Sequence, residues 1–385
     1  MTKSNRLEAF LEDYSNESTK GGYRTAMYSF IDCLYGQQRQ GNRITDAEKI
    51  TYGRLIDQYL TESRDYDSDM LKFANSLKNR PALSAKQVYR TVKEFLSYHD
   101  IEVSKKNQKK IKNAIMPKGG VATIEKPMDA EKVREIIQHL DLKGKALVLF
   151  LISSGMRIGE VLQVTDDDID LNSKPVKVKI RKEYTKTKRQ RITFISGEAA
   201  ACLKQWLKVR SSYLLSAAQR NNGLISNGHS KSKQTDTNRI FPFSDNIAGQ
   251  MLKNALIKSE NYSRDSTTGR AQIHVHMFRK FFISQMSLIV SKEIPEMLSG
   301  HSGYLTENYR RFTDEQLATE YLKAEHVLTI EMPSDVREIQ SELKTEMSSH
   351  AKSISTLYQE NTELRQRLGK LESVIMSMEK INEVG

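Results

Sequence analysis

The sequence predicts a mainly α-helical protein with one small β-sheet. Apolar residues recur at helical spacing through residues 1–115 and again through most of residues 128–332. Only Val176–Ile180 and Arg191–Ile195 alternate with a period of two, and a polar turn joins them, which is typical of a β-hairpin. Residues 333–385 repeat apolar side chains at steps of four and three, which indicates a coiled coil.

Residues 1–115 are predicted to form a helical domain of four short amphipathic helices. Their apolar stripes lie within 23–34, 55–60, 70–77 and 88–96. Thr19 and Ser84 precede the first and last stripes and are predicted N-caps, because a hydroxyl can accept a hydrogen bond from the free N–H groups of a first helical turn.

A dense basic run closes this domain, and residues 116–127, with their glycines and prolines, are predicted to form a linker. Such a run can be a solvated helix face, but the chain also has a net charge of +12, which favours a nucleic-acid partner. We therefore expect phosphate contacts from Lys105, Lys106, Lys109, Lys110 and Lys112.

The mixed domain, residues 128–332, is predicted to begin with a helix capped by Asp129. The apolar run Ala146–Ile152 indicates a buried helix that ends near Gly155, and Arg157 opens a second, short helix. The basic hairpin follows, with Lys186 and Lys188 at its tip. Further helices are predicted over 198–215, around 251–256 and after Thr313, and residues 218–239 are predicted to be a polar loop.

Residues 274–309 carry side chains suited to phosphate chemistry. His276 and Arg279 are three apart and share one face of a helix. The planar guanidinium of arginine matches a pair of phosphate oxygens, histidine moves protons near neutral pH, and tyrosine is a possible nucleophile. Each residue alone has an ordinary structural explanation. Together they predict attack on a phosphodiester, with protein cations rather than a metal stabilising the charge.

Five motifs in order resemble the tyrosine recombinases, or phage-type integrases, and the stretches 308–313 and 320–324 look like an archaeal-like branch. The five motifs are Arg157 within Gly-Met-Arg-Ile-Gly-Glu, a lysine in a hairpin turn, His276-x-x-Arg279, Gly300-His301 and Tyr309. The resemblance covers residues 128–330 well and the N-terminal region more loosely. It implies a core-binding domain, a catalytic domain and site-specific recombination of double-stranded DNA at attachment sites, without metal or nucleotide cofactor.

The resemblance also implies a role for each matching residue. Arg157 and Arg279 would bind the scissile phosphate, and Lys186, with Lys188 as its rival, would protonate the leaving 5′ oxygen. His276 and His301 would bind the phosphate or assist the nucleophile, and Glu160 would support the cluster from behind. Tyr309 would attack phosphorus and form a 3′-phosphotyrosine.

This sequence departs from the family pattern at three places, so alternatives stay open. Ser299 replaces the usual leucine of Leu-Gly-His, Lys280 stands where a histidine often follows Arg279, and the interval from His301 to Tyr309 is one residue shorter than in many bacterial members. Tyr304 and Tyr321 are alternative nucleophiles. A type IB topoisomerase-like enzyme and a non-catalytic DNA-binding protein are the alternative functions, and the acidic run Asp166–Asp168 could suggest a metal-dependent nuclease.

The tail, residues 333–385, is predicted to be a coiled coil that joins protomers, as a dimer within a synaptic tetramer. With Met347 at position a, the only polar a residue is Asn361, which favours a parallel two-stranded form. The alternative is a long helix packed on its own domain. The seam consists of Leu343, Met347, His350, Ile354, Leu357, Asn361, Leu364, Leu368, Leu371, Ile375 and Met378.

The composition excludes several other classes. Two cysteines, Cys33 and Cys202, give neither a disulfide framework nor zinc-ligand spacing. The longest apolar run is far too short to span a bilayer, and no signal peptide is recognised. We therefore expect a cytoplasmic, nucleoid-associated protein with no membrane partner.

Overall fold

The computed structural model describes residues 6–37, 41, 44–226, 235–300 and 312–330, together with scattered helical positions between Leu357 and Gly369. The predicted fold class is confirmed: the chain is mainly α-helical, with one small sheet. It divides into two compact units, residues 1–126 with 262–273, and residues 127–261 with 274–385. Among the residues described, no helix is long and apolar enough to cross a membrane.

The first unit packs its helices around an aromatic core. The ring of Phe30 lies 5.1 Å from the rings of Tyr59 and Phe73, and all three are fully buried. Helix α2 contacts α3, α4 and α5, so it is the centre of the bundle. The helices are α1 (Arg6–Glu12), α2 (Glu17–Tyr35), α3 (Asp46–Thr61), α4 (Tyr66–Ser76), α5 (Ala82–Tyr98) and α6 (Lys105–Lys110), followed by a π-helical turn at Ile111–Ile115.

The four predicted helices of this unit are confirmed as α2 to α5, but both predicted caps are wrong. Asn16 caps α2, because its carboxamide oxygen accepts hydrogen bonds from the N–H groups of Ser18 and Thr19. Helix α5 begins after Pro81, whose fixed φ suits a helix start, so Ser84 lies inside the first turn. Helix α1 was not predicted from the sequence.

Residues 262–273 belong to the first unit and form hydrogen bonds with the segment predicted to be a linker. The carboxylate of Asp265 accepts hydrogen bonds from the N–H groups of Ile124, Thr267 and Thr268. The N–H of Lys126 donates to the carbonyl of Gln272 at 3.3 Å. Part of the predicted linker is therefore held by hydrogen bonds that its backbone N–H groups donate.

The second unit surrounds the apolar helix α8, which is buried along most of its length. One prediction within it is wrong: residues 218–226 continue α10 rather than forming a loop, because Ala217, Ala218, Gln219 and Arg220 are strong helix formers. The described helices are α7 (Ala130–Gln138), α8 (Leu142–Ser154), α9 (Ile158–Val161), α10 (Gly197–Ser226), α11 (Asp245–Lys258), α12 (His276–Met286), α13 (Glu293–Ser299) and α14 (Asp314–Ala324).

The sheet of this unit has three antiparallel strands in the order β1-β2-β3. Strands β2 (Val176–Ile180) and β3 (Arg191–Ile195) form the predicted hairpin, with Val176 opposite Ile195 and Ile180 opposite Arg191. The two-residue strand β1 (Ile169–Asp170) adds an edge that the sequence did not predict. The paired strands therefore form a short, ordered base, and the basic turn lies at the far end of the hairpin.

Helix α8 ends in a tightly filled turn at Gly155. Gly155 has a φ of +63°, in the left-handed region, and a Cβ there would overlap the ring of Phe282. The last carbonyls of this segment are held by distant side chains. The hydroxyl of Tyr321 donates to Ser153 O at 2.8 Å, and the hydroxyl of Thr193 donates to Ser154 O at 2.8 Å.

We predict opposite effects from two nearby glycine substitutions. Gly155→Ala should lower the free energy of unfolding of the second unit by roughly 2–5 kcal/mol, because it combines a left-handed backbone with overlap in a packed core. Gly159→Ala should raise it by about 0.5–1 kcal/mol, because Gly159 lies in α9 with open space around it. Urea denaturation followed by the fluorescence of Trp206, the only tryptophan, measures both. Equal effects would contradict this account of Gly155.

Candidate active site

The turn after α8 places the first arginine of the site beside a buried carboxylate. Arg157 is the N-cap of α9, and its backbone N–H donates to Oε2 of Glu160 at 3.1 Å. Its side chain reaches the same group, with Nη1 at 3.0 Å from Oε1. Glu160 is only 2% exposed, whereas 30% of the Arg157 side chain remains accessible. Both contacts follow from the three-residue spacing within one helical turn.

A second arginine, Arg191 at the start of β3, contacts the same carboxylate. Its Nη2 lies 2.6 Å from Oε2 of Glu160, and its Nη1 lies 3.4 Å from Oε1. Its Nε donates to the carbonyl of Leu298 at 3.1 Å. Arg191 was not among the predicted site residues. A signal was present in the sequence, because a period of two places Arg191 on the same strand face as the apolar Ile195, which predicts an inward-facing position.

The third arginine, Arg279 in α12, is buried with 1% of its surface exposed. Its Nη1 donates to Gly155 O at 2.6 Å and also to the carbonyl of Ser299. Its Nε and Nη2 are buried and have no hydrogen-bond partner among the residues that the structure describes. A buried guanidinium with two unused nitrogens is costly unless an anion or other acceptor completes it.

Three consecutive carbonyls at the end of α13 are each held by a different arginine. Arg191 donates to Leu298 O, Arg279 to Ser299 O, and Nη2 of Arg157 to Gly300 O at 3.4 Å. Gly300 has a φ of +75°, and a Cβ on it would lie 2.8 Å from Cζ of Arg191. The left-handed backbone therefore favours glycine there, and the guanidinium of Arg191 occupies the space that a Cβ would need.

The charges in this cluster do not cancel. Three guanidinium groups surround one carboxylate, so the described side chains leave two positive charges uncompensated. Burial alone would raise the pKa of Glu160, but hydrogen bonds from Arg191 and Arg157 lower it below its ordinary value. Burial, followed by the nearby charge of Arg157, lowers the pKa of Arg279 to about 9. Arg279 therefore stays charged at neutral pH, in a place that favours a bound anion.

The hairpin tip carries Lys186 and Lys188, both exposed. Thr185, which precedes Lys186, is buried, and its hydroxyl donates to Lys182 O and accepts from the N–H of Arg189 at 3.0 Å. Asp168 anchors the base of the tip, because its carboxylate accepts hydrogen bonds from Arg181 Nε at 2.5 Å and the Tyr184 hydroxyl at 3.0 Å. The turn is fixed while its lysine side chains face solvent.

The predicted proton-transfer and nucleophilic residues are placed as follows. His276 is exposed at the first position of α12, one helical turn before Arg279. His301, Tyr304 and Tyr309 lie outside the described residues. Tyr321 is fully buried in α14, donates to Ser153 O, and has a pKa raised well above its ordinary value by burial. The structure thus gives Tyr321 a packing role and disfavours it as a nucleophile.

The other predicted groups belong to other elements of the chain. The lysines at 105, 106, 109, 110 and 112 are all exposed, on α6 and the π-helical turn of the first unit. Asp168 is engaged by Arg181, Tyr184 and Thr165, and the carboxylate of Asp166 accepts from both Nη atoms of Arg210. Carboxylates already paired in this way argue against the metal-nuclease alternative.

Comparison with known proteins places this geometry in a family. Residues 126–316 match the phage integrase family. A segment of 90 residues is 31% identical to the tyrosine recombinase XerC of Histophilus somni (strain 2336), and this match spans 22% of the present chain and 29% of that relative's length.

Similar solved structures have low sequence identity to this chain. The crystal structure of a lambda integrase dimer bound to a COC′ core site matches with a TM-score of 0.50 and 13% identity, over 82% of this chain and 100% of that chain. The XerH site-specific recombinase bound to difH substrate matches with a TM-score of 0.42 and 15% identity, over 77% and 92% of the respective chains. The matched segment contains Arg157, Glu160, Arg191 and Arg279, and the chain belongs to the phage integrase family of tyrosine recombinases.

Proposed function

We propose that this protein is a site-specific DNA recombinase that cuts and rejoins DNA through a 3′-phosphotyrosine intermediate. The observation that carries the proposal is the arginine cluster around Glu160. Arg157 is partly accessible, Arg279 has two nitrogens without a partner among the described residues, and the cluster has an excess of two positive charges. A phosphodiester at its transition state supplies the matching negative charge.

The cluster suits the transition state better than the ground state. A phosphodiester carries one negative charge, and nucleophilic attack places further negative charge on the non-bridging oxygens. Arg279 and Arg157 are held by backbone carbonyls and by Glu160 before substrate arrives. Donors that need no reorganisation in a site of low dielectric stabilise developing charge most effectively. We therefore assign both arginines to the scissile phosphate.

The proposed reaction is a balanced transesterification. The hydroxyl oxygen of Tyr309 attacks phosphorus, the new phosphorus–oxygen bond forms, and the bond to the 5′ oxygen breaks. The tyrosine proton passes to His276 or His301, and the leaving oxygen takes a proton from Lys186. In the second half, the 5′ hydroxyl of a partner strand attacks the phosphotyrosine and releases Tyr309. One phosphodiester replaces another, so no nucleotide cofactor supplies energy.

Double-stranded DNA at attachment sites is the proposed substrate and partner. The basic run on α6 and the following π-helical turn presents five exposed lysines, and lysines that neutralise phosphates supply affinity independent of sequence. Lys188 would add a phosphate contact at the hairpin tip. We assign residues 1–115 to DNA binding, 116–127 to the linker and 128–332 to catalysis, and we place the protein in the cytoplasm at the nucleoid.

The tail at 333–385 is proposed to join protomers. Leu357, Leu364 and Leu368 are helical and 57–62% exposed, although large leucine side chains at heptad positions gain stability when they are covered. Asn361, at position a between them, is helical and exposed as well. A second copy of the same helix would cover the leucines and pair the two asparagines. Such pairing supports a dimer that assembles further for synapsis.

We predict that Tyr309→Phe abolishes covalent attachment to DNA and preserves DNA binding. The substrate is a nicked duplex from the ends of the element that carries the gene, so that the cleaved end diffuses away and the adduct accumulates. The reaction is run in EDTA, and the adduct is located by peptide mapping. Tyr321→Phe is the matched control and should retain the adduct, because Tyr321 is buried against Ser153.

Other outcomes of this assay decide between the alternatives. An adduct on Tyr304 would be consistent with the family and would identify Tyr304, not Tyr309, as the nucleophile. An adduct that relaxes supercoiled DNA but never exchanges strands between two duplexes would favour a type IB topoisomerase-like enzyme. Wild-type binding without any adduct would indicate a non-catalytic DNA-binding protein, and cleavage that needs magnesium would overturn the proposal.

We predict that Lys186→Ala slows cleavage of an ordinary duplex by about 10²–10⁴-fold, the usual range for loss of a general acid. A duplex with sulfur in place of the bridging 5′ oxygen should restore the rate, because a thiolate leaves without a proton. Lys188→Ala on the same hairpin tip is the control: it should bind DNA more weakly but, at saturating protein, cleave both duplexes at near wild-type rates. If the sulfur-containing duplex restored cleavage by Lys188→Ala and not by Lys186→Ala, Lys188 would be the general acid.

We predict that the double variant Leu364→Glu/Leu368→Glu loses self-association, because each change places a charge in the apolar seam. Truncation before Pro333 should have the same effect. Gln359→Glu, at the outward position f, is the control and should keep the wild-type oligomeric state. Sedimentation equilibrium measures the state without DNA, and synapsis of two duplexes measures its consequence. An unchanged mass after truncation would contradict the proposed pairing.

A further inference from the structure

We infer that Arg191 is a positioning residue for strand cleavage, which fixes Arg157 and the turn that ends at Gly300 in one arrangement. The inference rests on the proposed function, because it concerns the same phosphate site. Arg191 is absent from the set of residues expected from the family motifs. Its contacts nevertheless connect β3 both with Glu160 in α9 and with the end of α13.

The hydrogen bonds and the burial of Arg191 favour a positioning role over direct binding of the phosphate. All three of its guanidinium nitrogens already donate: Nε to Leu298 O, and Nη1 and Nη2 to the two oxygens of Glu160. Only 14% of its side chain is exposed. Arg279 has unused nitrogens, and Arg157 is about twice as exposed as Arg191. Arg191 therefore acts on the phosphate through its neighbours.

One route from Arg191 to the phosphate passes through Glu160. Because Arg191 contacts both carboxylate oxygens, it fixes the rotation of the carboxylate, which a single point contact could not do. Oε1 of Glu160 then receives Nη1 of Arg157, and Oε2 receives the backbone N–H of Arg157. The orientation of the Arg157 guanidinium thus depends on a carboxylate that Arg191 holds.

The second route passes through the end of α13. Arg191 binds Leu298 O, and its guanidinium fills the space that the absent Cβ of Gly300 leaves, with Cζ 2.8 Å from an ideal Cβ position. This contact fixes the turn whose next two carbonyls bind Arg279 and Arg157. Arg191 therefore sets the distance between the strand, the turn and both phosphate-binding arginines.

Lysine is the informative replacement. Arg191→Lys keeps the charge but can neither contact both carboxylate oxygens nor fill the planar space against Gly300. A displacement of about 1 Å in a positioned group can cost on the order of 10²-fold in rate. We expect Arg191→Lys to slow single-turnover cleavage of the nicked duplex by about 10²-fold, and to change the dissociation constant for DNA less than about threefold.

The chain offers a closely matched control in Arg210. Its Nη1 and Nη2 contact the two oxygens of Asp166 at 3.0 and 2.8 Å, Nη1 also donates to Arg239 O, and its side chain is 16% exposed. Arg210→Lys therefore removes a similar set of bonds outside the arginine cluster. It should cleave at the wild-type rate. Equal rates for the two lysine variants, at equal folded fractions, would overturn the role of Arg191.

A double-mutant cycle tests the route through Glu160. If Arg191 acts through this carboxylate, Arg191→Lys combined with Glu160→Gln should be little slower than the slower single variant. Multiplication of the two rate losses would show that Arg191 acts independently of Glu160, and would overturn this route. The cycle uses full-length protein, and each variant is first compared by thermal melting.

A melting experiment with inorganic phosphate keeps this inference separate from the proposed function. Phosphate that binds the folded cluster should raise the melting temperature of the wild type and of Arg210→Lys. The shift should be smaller for Arg191→Lys. If the wild type forms no adduct with DNA but this difference persists, the proposed function fails and the role of Arg191 in positioning stands. Equal phosphate shifts in all three proteins would overturn that role as well.

Discussion

One nitrogen atom, Nη1 of Arg279, joins two helix ends, and the geometry of the site depends on it. It donates to Gly155 O after α8 and to Ser299 O at the end of α13. The carbonyls at a helix C-terminus carry partial negative charge, so two such ends stabilise a cation that is otherwise buried. They do so only in part, because burial still lowers the pKa of Arg279 to about 9. The fold thus holds a charged group whose remaining donors an anion can complete.

The single carboxylate of the cluster explains why that charge survives. Glu160 accepts hydrogen bonds from Arg157 and Arg191. Among the described residues, it accepts none from Arg279. A second carboxylate would stabilise the free protein and compete with phosphate for the same donors. The uncompensated positive charge therefore lowers the stability of the folded protein without ligand. A bound anion raises that stability, because it binds the folded state and not the unfolded one. Under the proposed function, the same excess charge serves both phosphate binding and stabilisation of the transition state.

The sequence predicted features that depend on near neighbours and missed those that depend on distant ones. The end of α8 at Gly155, the hairpin strands and the contact of Arg157 with Glu160 all follow from local spacing. The contacts Arg191–Leu298, Thr193–Ser154 and Tyr321–Ser153 join residues 107, 39 and 168 positions apart. In each contact a side chain donates to a backbone carbonyl, and a backbone carbonyl has no sequence signature of its own. Motifs therefore identified charged groups that would meet the phosphate, but not those that hold them in place.

Burial separates the proposed roles within the site. Arg279 is almost fully buried, Arg191 and Arg157 are progressively more exposed, and Lys186 and His276 face solvent. A group that stabilises developing charge gains from a fixed place in a low dielectric, whereas a group that exchanges protons needs access to solvent between reaction steps. In the proposed mechanism, the buried arginines consequently define where phosphorus lies. If Lys186 is the general acid, the hairpin, whose turn is fixed by Thr185 and Asp168, determines whether it reaches the leaving oxygen.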